Sequence, residues 1–250
     1  MPSHQVGRDH LAEYEAGPLI SVCMATFNGA DYVQEQLASV LAQIGPTDEV
    51  VVVDDASTDA TVARVEQMHD ARIRLLTNPS NRGHVKSFER ALAQARGQFV
   101  FLSDQDDVWL PGRVGRMVRE LDSHALVIGS LSSMDEPERL QWAVDERWGA
   151  WGWRNLLGLA LGRRAYFGSA MAMRRDLVDR VVPFPDNVEA HDHWIAIVGI
   201  LGGRARHLSA PAVTARRIHG ANLTRRRSPR RQIHARRLML SHARAALMGR

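Results

Sequence analysis

Three carboxylates stand directly after a short apolar run near the middle of the chain, and their spacing suits a divalent cation. Residues 99–102 are typical of a strand buried on both faces of a mixed or parallel sheet. They are followed at once by Asp104, Asp106 and Asp107. Acidic side chains this close repel one another and are costly to leave unpaired, so a hard cation is their simplest neutraliser. The sequence therefore predicts a metal site where this strand ends.

The Asp-x-Asp spacing of Asp104 and Asp106 places both side chains on one side of an extended or turning segment. Both can then face one divalent ion and the diphosphate that it bridges. A solvated acidic loop or a helix N-cap would also explain such a pair. The position after an apolar strand favours the metal site, because open α/β sheets bind ligands at the carboxyl ends of their strands.

A second predicted strand also ends in acid. Residues 50–53 form a continuous β-branched run, and Asp54 and Asp55 follow it. Residues 57–59 are Ser-Thr-Asp, so capping of the next helix is the alternative role for the two carboxylates. Two acidic strand ends in one sheet favour a shared ligand site.

The elements that must position these residues alternate between apolar runs and helical patterns. Strands are predicted at 19–26, 50–53, 73–76, 99–102, 125–129, 166–173 and 212–218, and helices at 31–43, 62–68, 85–95, 113–121 and 193–201. The order over the first hundred or so residues predicts the α/β class with a doubly wound, Rossmann-like nucleotide-binding half. Neither a Gly-x-Gly-x-x-Gly motif after the first strand nor a Walker A lysine motif is present, which argues against dinucleotide and P-loop binding.

The composition is that of a soluble protein with a full hydrophobic core, with 45% hydrophobic and 24% charged residues among 250. The single cysteine, Cys23, excludes a disulfide framework and a cysteine zinc site. No apolar stretch has membrane-spanning length, and residues 1–17, a polar and flexible leader, lack the pattern of a signal peptide. These features predict a cytoplasmic protein.

Basic residues are concentrated at the end of the chain. No Asp or Glu follows Asp192, yet 13 of the 32 Lys and Arg residues do, so the first 192 residues carry 19 basic and 28 acidic side chains. Residues 225–250 combine arginine clusters with an apolar helical face, which is typical of a segment that lies on an anionic membrane surface. Nucleic acid is the rival partner, but it is not expected because no recognisable reading module is present.

Three segments together resemble the family 2 glycosyltransferases, the inverting enzymes of the GT-A fold. They are ISVCMATFNGADYVQEQLASVLAQ, VVVDDASTDAT and NRGHVKSFERALAQARGQFVFLSDQDDVW, in order and at suitable spacing. SDQDDVW and the later HDHW resemble the bacterial branch that includes rhamnosyltransferase-like enzymes of cell-surface polysaccharides. The resemblance implies a GT-A domain over 18–224 on a mixed, mainly parallel sheet flanked by helices. Its nucleotide-sugar half would be 18–112 and its acceptor half 113–224.

The resemblance assigns the nucleotide-sugar to strand ends and to the Asn-x-Gly loop, at Thr26, Asn28, Asp54, Asp55, Asn81, Gly83, Lys86 and Asp104. Asp54 would hold the uracil or thymine, and Asp104 the ribose or sugar. Asp106 would bind Mn²⁺ or Mg²⁺, and His219 would contact the metal or the diphosphate. From the residues alone, Lys86 is equally compatible with a solvated helix side chain, and His219 with a solvent-facing turn.

The resemblance also implies that Asp192 in His-Asp-His-Trp is the catalytic base. The family commonly has Glu-Asp here, which leaves the role of that glutamate open, although Glu189 is near in the sequence. An N-cap of the helix at 193–201 is the alternative role of Asp192, and the two roles can coexist. A His-x-His pair does not share a helical face, so a zinc site is disfavoured. The residues expected at the acceptor are Trp151, Trp153, His191, His193 and Trp194, and the tryptophans are equally compatible with a packed core.

These features predict a metal-dependent inverting glycosyltransferase, hexosyl- or rhamnosyl-transferring. It would move a sugar from a UDP- or dTDP-sugar to a saccharide or lipid-linked acceptor, in the cytoplasm or at the inner face of the plasma membrane. The alternative is a non-catalytic nucleotide-sugar-binding or scaffold protein of the same fold, docked through its basic tail. A nucleotidyltransferase is disfavoured, because no glycine-rich phosphate loop follows the first strand.

Overall fold

The computed structural model describes residues 19–220 apart from 151, 162, 165 and 187. The strands are β1 (Ile20–Thr26), β2 (Glu49–Asp54), β3 (Ile73–Thr77), β4 (Phe99–Asp104), β5 (Val108–Trp109), β6 (Leu126–Gly129), β7 (Leu131–Ser133), β8 (Leu140–Trp142), β9 (Met171–Arg174), β10 (Ala205–Leu208) and β11 (Thr214–Arg216). The helices are α1 (Val33–Leu41), α2 (Thr61–Glu66), α3 (His84–Gln94), α4 (Arg113–Leu121), α5 (Arg147–Ala150), α6 (Gly152–Ala160), α7 (Arg175–Val181) and α8 (His191–Leu201). The predicted α/β class is confirmed.

The larger sheet has seven strands in the order β10-β6-β9-β4-β1-β2-β3. Neighbouring strands are parallel except at β9, which runs antiparallel to β4 and β6. This is the mixed, mainly parallel sheet that was expected. Strands β1, β2 and β4 are buried along almost their whole length, which explains why their sequences are continuous apolar runs and not alternating patterns.

Helices cover both faces of this sheet, because successive side chains of each strand enter opposite layers. On one face Cys23 and Val51 pack with Phe88 of α3 and with α7 and α8. On the other face Val22 packs with Leu37 of α1 and with α2 and α4. Full burial of a Val, Leu or Phe side chain contributes about 1.5–3 kcal/mol. The two layers therefore fix the sheet between its helices, as in other doubly wound folds.

The parallel register brings several polar strand ends to one edge of the sheet. Thr26 pairs with Asp54, and Ala25 pairs with Asp104. Asp54 pairs in turn with Thr77 at the end of β3. The carboxyl ends of β1, β2, β3 and β4 therefore lie side by side, at the edge where α/β sheets bind ligands.

The smaller sheet returns a late part of the chain to the acidic loop between β4 and β5. Its order is β5-β11-β7-β8. Strand β5 follows Asp107 directly, and β11 pairs with it antiparallel, with Thr214 opposite Trp109. The residues after β11 consequently run beside Asp106 and bring His219 to it.

Two predicted elements of the second half differ from the structure. The segment 166–173, predicted as one strand, forms a 3-10 turn at Gly168–Ala170 before β9 begins. The helix predicted from residue 193 begins at His191, and its N-cap is Ala190. Asp192 therefore lies in the first turn of α8, and the alternative role as N-cap is wrong.

The short strands β7, β8 and β10 are absent from the sequence-based prediction, because three or four residues carry too little periodicity. The leader at 1–17 and the basic tail at 225–250 lie outside the described residues. Within the described part of the chain, no helix combines the length and the apolar character needed to cross a bilayer.

Candidate functional site

Asp54 at the end of β2 is buried and held by its neighbours. Thr26 Oγ1 and Ser57 Oγ donate to Asp54 Oδ2 at 2.9 and 2.6 Å, and the Ser57 N–H donates to Oδ1 at 2.9 Å. Asn28 belongs to the same turn, since its N–H donates to Ser57 Oγ and its Oδ1 accepts the Thr58 N–H, both at 2.9 Å. The exposed Asn28 and the buried Asp54 thus lie together at the carboxyl ends of β1 and β2.

Asp55 organises the Asn-x-Gly loop. Its Oδ1 accepts Asn78 Nδ2 at 2.7 Å and the Arg82 N–H at 2.9 Å, and its Oδ2 accepts the Gly83 N–H at 2.8 Å. Burial raises the pKa of Asp55, but these hydrogen bonds together outweigh it and hold the pKa below its usual value. Gly83 has a φ of 85°, which favours glycine, and Asn81 Oδ1 accepts its N–H at 3.2 Å. The loop is therefore fixed to the end of β2.

Gln105 joins the loops that follow β1 and β4. Its Oε1 accepts the Phe27 N–H at 2.9 Å, and its Nε2 donates to the Phe27 carbonyl at 3.1 Å. Gly29 leaves room for this side chain, because a β-carbon there would lie 2.3 Å from Gln105 Oε1. The paired hydrogen bonds hold the Asn28 turn against the acidic loop.

Burial and neighbouring carboxylates raise the pKa of Asp104 and of Asp107 in the acidic loop. Part of Asp104 reaches the surface, but burial of its carboxyl group, with Asp107 and Asp106 nearby, raises its pKa well above the usual value. Arg216 opposes this rise and Asp192 adds to it. Burial and Asp106 raise the pKa of Asp107 to about 6, and Asp107 Oδ2 has no hydrogen-bond partner within the described residues. A bound cation would stabilise this loop.

Asp106 and His219, the two residues predicted to contact a metal, lie together. His219 Nε2 is 2.8 Å from Asp106 Oδ2, and the Tyr32 ring stacks on His219 with a centroid distance of 4.8 Å. Arg217 holds His219 near Asp106. Its backbone N–H donates to Asp107 Oδ1, and its side-chain Nε donates to the Asp106 carbonyl, both at 3.2 Å. Backbone and side-chain contacts thus hold the segment after β11 against the acidic loop.

Arg113, the first residue of α4, is fully buried and connects the two sheets. Its guanidinium donates to the Leu102 carbonyl of β4 at 3.1 Å. It also donates to the Ser169 carbonyl and to Thr214 Oγ1 of β11. One side chain therefore joins the strand that ends at the acidic loop to the strand that leads to His219.

Arg113 also supplies positive charge beneath the acidic loop. Its guanidinium lies 4.1 Å from the centroid of the Trp109 ring. Burial lowers the pKa of Arg113 to about 9, and Asp107 and Asp104 oppose that change. The side chain stays cationic at neutral pH and partly offsets the repulsion between the carboxylates.

A divalent cation fits this arrangement if a substrate completes its coordination. Among the described residues, no three His, Cys, Asp or Glu side chains are grouped as a full set of metal ligands. Asp106 and His219 offer two adjacent ligands, and Asp107 has a buried carboxylate oxygen without a partner. Mg²⁺ is commonly bound by one or two carboxylates together with substrate phosphates, and carboxylates also suit Mn²⁺. The available ligand atoms therefore match a cation that binds together with a diphosphate.

The first turn of α8 presents Asp192 toward the acidic loop. A β-carbon at residue 168 would lie 2.8 Å from His191 Nε2 and 3.6 Å from Leu102 Cδ1, so the start of α8 adjoins the end of β4, and the charge of Asp192 adds to the raised pKa of Asp104. Asp192 Oδ1 accepts the His193 N–H at 2.7 Å. The partial positive charge of a helix N-terminus also favours a carboxylate in this turn. Asp192 is consequently held in the turn of α8 that adjoins the end of β4.

His191 packs behind Asp192 as a buried imidazole. Its ring stacks on Phe88 with a centroid distance of 4.1 Å, and the His84 ring approaches edge-on at 5.7 Å. A β-carbon at residue 168 would lie 2.8 Å from His191 Nε2, so Gly168 makes room for it. Burial lowers the pKa of His191 to about 4, and neither ring nitrogen has a partner within the described residues. A neutral imidazole with unused hydrogen-bonding capacity therefore adjoins the candidate base.

The structure describes two of the predicted acceptor tryptophans, Trp153 and Trp194, and places them in different surroundings. Trp194 is buried in the core, and its indole N–H donates to the Val181 carbonyl at 3.0 Å, which does not support direct contact with an acceptor. Trp153 is 68% exposed on α6, with the Arg154 guanidinium 5.2 Å from its ring centroid. Trp151 lies outside the described residues.

Lys86 on α3 makes ion pairs near the segment that precedes α8. Its Nζ lies 2.8 Å from Glu89 Oε2 and 3.8 Å from Asp186 Oδ1. The side chain is one third exposed, at 33%. A phosphate contact and a solvated helix side chain both stay predictions for this residue.

Four residues of the site are missing from the sequence-based prediction, namely Tyr32, Gln105, Arg113 and Arg217. Gln105 stands between the predicted residues Asp104 and Asp106, and Arg217 lies near the end of the last predicted strand, two residues before His219, so their positions in the sequence could have indicated them. Arg113 begins a predicted helix, where an arginine is typically solvated. Its burial depends on the packing of the two sheets, which the sequence does not indicate.

Comparison with known proteins identifies the family. The glycosyl transferase family 2 profile matches residues 21–182. The succinoglycan biosynthesis protein ExoO of Rhizobium meliloti is 40% identical over 106 residues, which are 42% of this chain and 30% of that protein. The UDP-Glc:alpha-D-GlcNAc-diphosphoundecaprenol beta-1,3-glucosyltransferase WfgD of Escherichia coli is 34% identical over 96 residues, 38% of each chain. The aligned regions thus span only 30% and 38% of these curated relatives.

Solved structures show the same fold. S. aureus TarS 1–349 in complex with UDP-GlcNAc has a TM-score of 0.69 at 23% identity, covering 91% of this chain and 70% of that one. The mannosyltransferase PcManGT of Pyrobaculum calidifontis, in complex with GDP-Man and Mn²⁺, has a TM-score of 0.61 at 22% identity, covering 97% and 80%. The fold is GT-A, as the sequence implied. The family match covers more than half of the chain and includes the strand ends with Asp54 and Asp104, and the protein belongs to glycosyl transferase family 2.

Proposed function

We propose that this protein is an inverting glycosyltransferase that moves a sugar from a UDP- or dTDP-sugar to a saccharide or lipid-linked acceptor. One observation carries the proposal. The carboxylates at the ends of β2 and β4, the Asp106–His219 pair and Asp192 meet at one edge of the sheet. Separate donor, metal and base groups within one cleft are what a single displacement at a sugar carbon requires.

The nucleotide-sugar lies along the ends of β1, β2 and β4 in this proposal. Asp54 and the exposed Asn28 face the base, while Asp104 contacts the ribose or sugar. Thr26 fixes Asp54 through its hydroxyl, and Asp55 fixes the Asn-x-Gly loop through the N–H groups that it accepts. The loop, with Asn81, Gly83 and the nearby Lys86, lines the remaining side of the donor.

Asp106 and His219 would hold Mn²⁺ or Mg²⁺ together with the diphosphate of the donor. When bound, the cation neutralises the negative charge that develops on the departing nucleoside diphosphate. Arg113 and Arg217 hold the two ligands in place from beneath and beside the loop. The acidic loop keeps its geometry through these arginines before any ligand arrives.

Asp192 acts as the general base. It takes the proton of the acceptor hydroxyl as that oxygen bonds to the anomeric carbon, and the bond between that carbon and the diphosphate oxygen breaks on the opposite side. A single displacement of this kind inverts the anomeric configuration. The position of Asp192 in the first turn of α8 supports this role, because that turn adjoins the end of β4, where the predicted sugar contact Asp104 lies.

The proposed substrates and setting are supported by relatives. One is named for succinoglycan biosynthesis, and another for glucosyl transfer from UDP-Glc to a diphosphoundecaprenol-linked GlcNAc. A fold neighbour was solved with UDP-GlcNAc, and another with GDP-Man and Mn²⁺. We therefore place the reaction in cell-surface polysaccharide biosynthesis, with the cytoplasmic side of the membrane as its proposed site.

The base is tested by Asp192→Asn, which keeps the size of the side chain and removes its basicity. We expect Mn²⁺-dependent release of UDP or dTDP from the donor to fall by about 10²–10⁴-fold, the range for general-base catalysis. Donor binding, measured by calorimetry, should stay within about twofold, because Asp192 does not hold the nucleotide. Unchanged turnover would exclude Asp192 as the base.

A matched control is Asp122→Asn, the same chemical change at an exposed residue after α4, on the opposite edge of the sheet. This variant should keep wild-type turnover and binding. A wild-type protein that binds the donor but never releases nucleotide, with Mn²⁺ and a range of saccharide acceptors present, would favour the non-catalytic scaffold.

A further inference from the structure

The outer face of α6 carries an exposed apolar stripe. Trp153 and Leu157 lie one turn apart on α6, and Leu161 follows the helix directly and continues the same face, since its N–H donates to the Leu157 carbonyl at 2.9 Å. They are 68%, 51% and 47% exposed. The opposite face of α6, with Asn155 and Leu159, is buried in the protein. The helix is thus apolar on two sides, and the protein covers one of them.

The surroundings of this stripe are basic. Between Glu146 and Asp176 the chain contains no Asp or Glu. Arg154 and Arg163 are exposed at its side. A tryptophan and leucines flanked by arginines match the chemistry of the bilayer interface, where indole rings lie at headgroup level and arginines meet anionic headgroups.

We propose that this face of α6 rests on an anionic lipid bilayer, with Trp153, Leu157 and Leu161 in the interfacial layer. Charge decides against two other occupants. The basic segment 225–250 would bring further arginines to a face beside which Arg154 and Arg163 are already exposed. A second copy that paired through the same face would bring Arg154 and Arg163 against their own equivalents. An anionic bilayer satisfies both the apolar stripe and the arginines.

Helix α6 packs against the helix that carries the candidate base Asp192. Helix α6 packs against α8, where a β-carbon at Gly152 would lie 3.9 Å from the Ile200 carbonyl. Helix α8 begins with the turn that carries Asp192. Contact between α6 and a bilayer therefore places the candidate base on an element that adjoins the membrane-bound helix. The inference stands on α6 itself and does not depend on the proposed reaction.

Insertion is measured with a single label on the full chain. Leu157→Cys is coupled to an environment-sensitive fluorophore, and the native Cys23 does not compete because it is fully buried. We expect a blue shift and increased emission with vesicles of phosphatidylcholine and phosphatidylglycerol, and a much smaller change with phosphatidylcholine alone. Ala63→Cys, at an exposed position of α2 on the other face of the large sheet, is the matched control and should show no change.

Partitioning is measured by vesicle flotation of the full chain at raised salt, which screens the arginines of segment 225–250 more than it weakens apolar insertion. The triple variant Trp153→Gln, Leu157→Gln and Leu161→Gln changes exposed side chains and should keep the wild-type melting temperature. We expect its partition coefficient to fall about tenfold or more, because interfacial binding scales with the apolar area that inserts.

The proposal is overturned if the label at position 157 does not respond to anionic vesicles, or if the triple variant partitions like the wild type. A label already shielded from aqueous quencher without vesicles would also overturn it. Shielding that persists on dilution would then assign the face to segment 225–250. Shielding that disappears on dilution would assign it to a second copy of the chain.

Discussion

Arg113 illustrates how much of the acidic loop depends on one side chain that no ligand would touch. Taking a guanidinium out of water costs several kcal/mol unless hydrogen bonds and opposite charge compensate. Here it donates to the Leu102 and Ser169 carbonyls and to Thr214, and it lies near Asp104 and Asp107. The carboxylates and the arginine therefore stabilise each other's charge, and the loss of either leaves the other uncompensated.

We expect Arg113→Met to lower the free energy of unfolding by about 3–5 kcal/mol, because it removes one partner of a buried charge network. Arg113→Lys should lose less, since it keeps the charge but has fewer donors. Adding Asp107→Asn to Arg113→Met should recover part of the loss by removing a buried negative charge. Urea denaturation of the wild type, Arg113→Met, Asp107→Asn and the double variant measures this coupling. Strictly additive effects of the two substitutions would show that Arg113 and Asp107 do not interact.

The sequence predicts the carboxylates of the site better than the groups that hold them. Asp54 and Asp55 are predictable because they come directly after the apolar run of β2, and Asp104 because it comes after the apolar run of β4. Arg113 and Gln105 act on residues distant in sequence, and such pairings depend on register and sheet packing. Residue type and spacing cannot indicate them, because an arginine at a helix start is the same residue whether it is solvated or buried.

At the scale of elements, a buried polar cluster attaches α6 to β10. The Tyr166 hydroxyl donates to Asn155 Oδ1 of α6 at 2.7 Å and lies 2.9 Å from His207 Nε2 of β10. The Trp148 ring of α5 packs edge-on against both Tyr166 and His207. Polar groups buried in this way fix one arrangement of their elements, because any other would leave them unpaired. The cluster thereby orients the helix that we propose to contact lipid.

This cluster should make stability depend on pH. Burial, followed by Arg164 and Arg206, lowers the pKa of His207 to about 4, and Asp145 opposes it weakly. The unfolded chain takes up this proton near pH 6.5, but the folded protein does so only near pH 4. Stability from the neutral His207 is therefore complete above about pH 6.5 and is lost as the pH falls toward about 4.

His207→Gln removes this titration and keeps hydrogen-bonding groups. Between about pH 6 and about pH 5, the dependence of the unfolding free energy on pH should become shallower by up to about 1.4 kcal/mol per pH unit, the contribution of one proton. Tyr166→Phe is the matched control, because it should lower stability at every pH and retain the wild-type slope. Urea denaturation at a series of pH values provides both slopes, and equal slopes for His207→Gln and the wild type would refute the prediction.

At the scale of the whole molecule, the site lies between two sheets. The sequence predicts most strands of the seven-stranded sheet but not the strand pairing of the four-stranded sheet. The doubly wound half follows from continuous apolar runs and helical periodicity, and its four strands match the expected positions closely. The smaller sheet pairs β5 with β11, which lie about a hundred residues apart, and its strands have two or three residues. Neither propensity nor period can specify such a pairing, although it brings His219 to Asp106.

This architecture predicts a nucleotide response that depends on metal. In the proposed function, the ends of β1 and β2 contact the nucleoside, whereas Asp106 acts on the diphosphate through a cation that it holds with His219. A ligand at about a hundredfold above its dissociation constant adds about 2.7 kcal/mol to stability, which is a shift of several degrees in melting temperature for a domain of this size. We expect such a shift with UDP or dTDP in the presence of Mn²⁺, a smaller one without Mn²⁺, and none with NAD⁺.

Asp106→Asn and His219→Gln separate the two contributions. Both variants should lose most of the Mn²⁺-dependent part of the shift and keep the smaller shift that UDP or dTDP produces without metal, because the strand ends with Thr26 and Asp54 are unchanged. Asp122→Asn should respond like the wild type. A full Mn²⁺-dependent shift in both variants would place the metal elsewhere. An equal shift with GDP would remove the preference for a uracil or thymine base, and no shift with any nucleotide would contradict a donor site at this edge of the sheet.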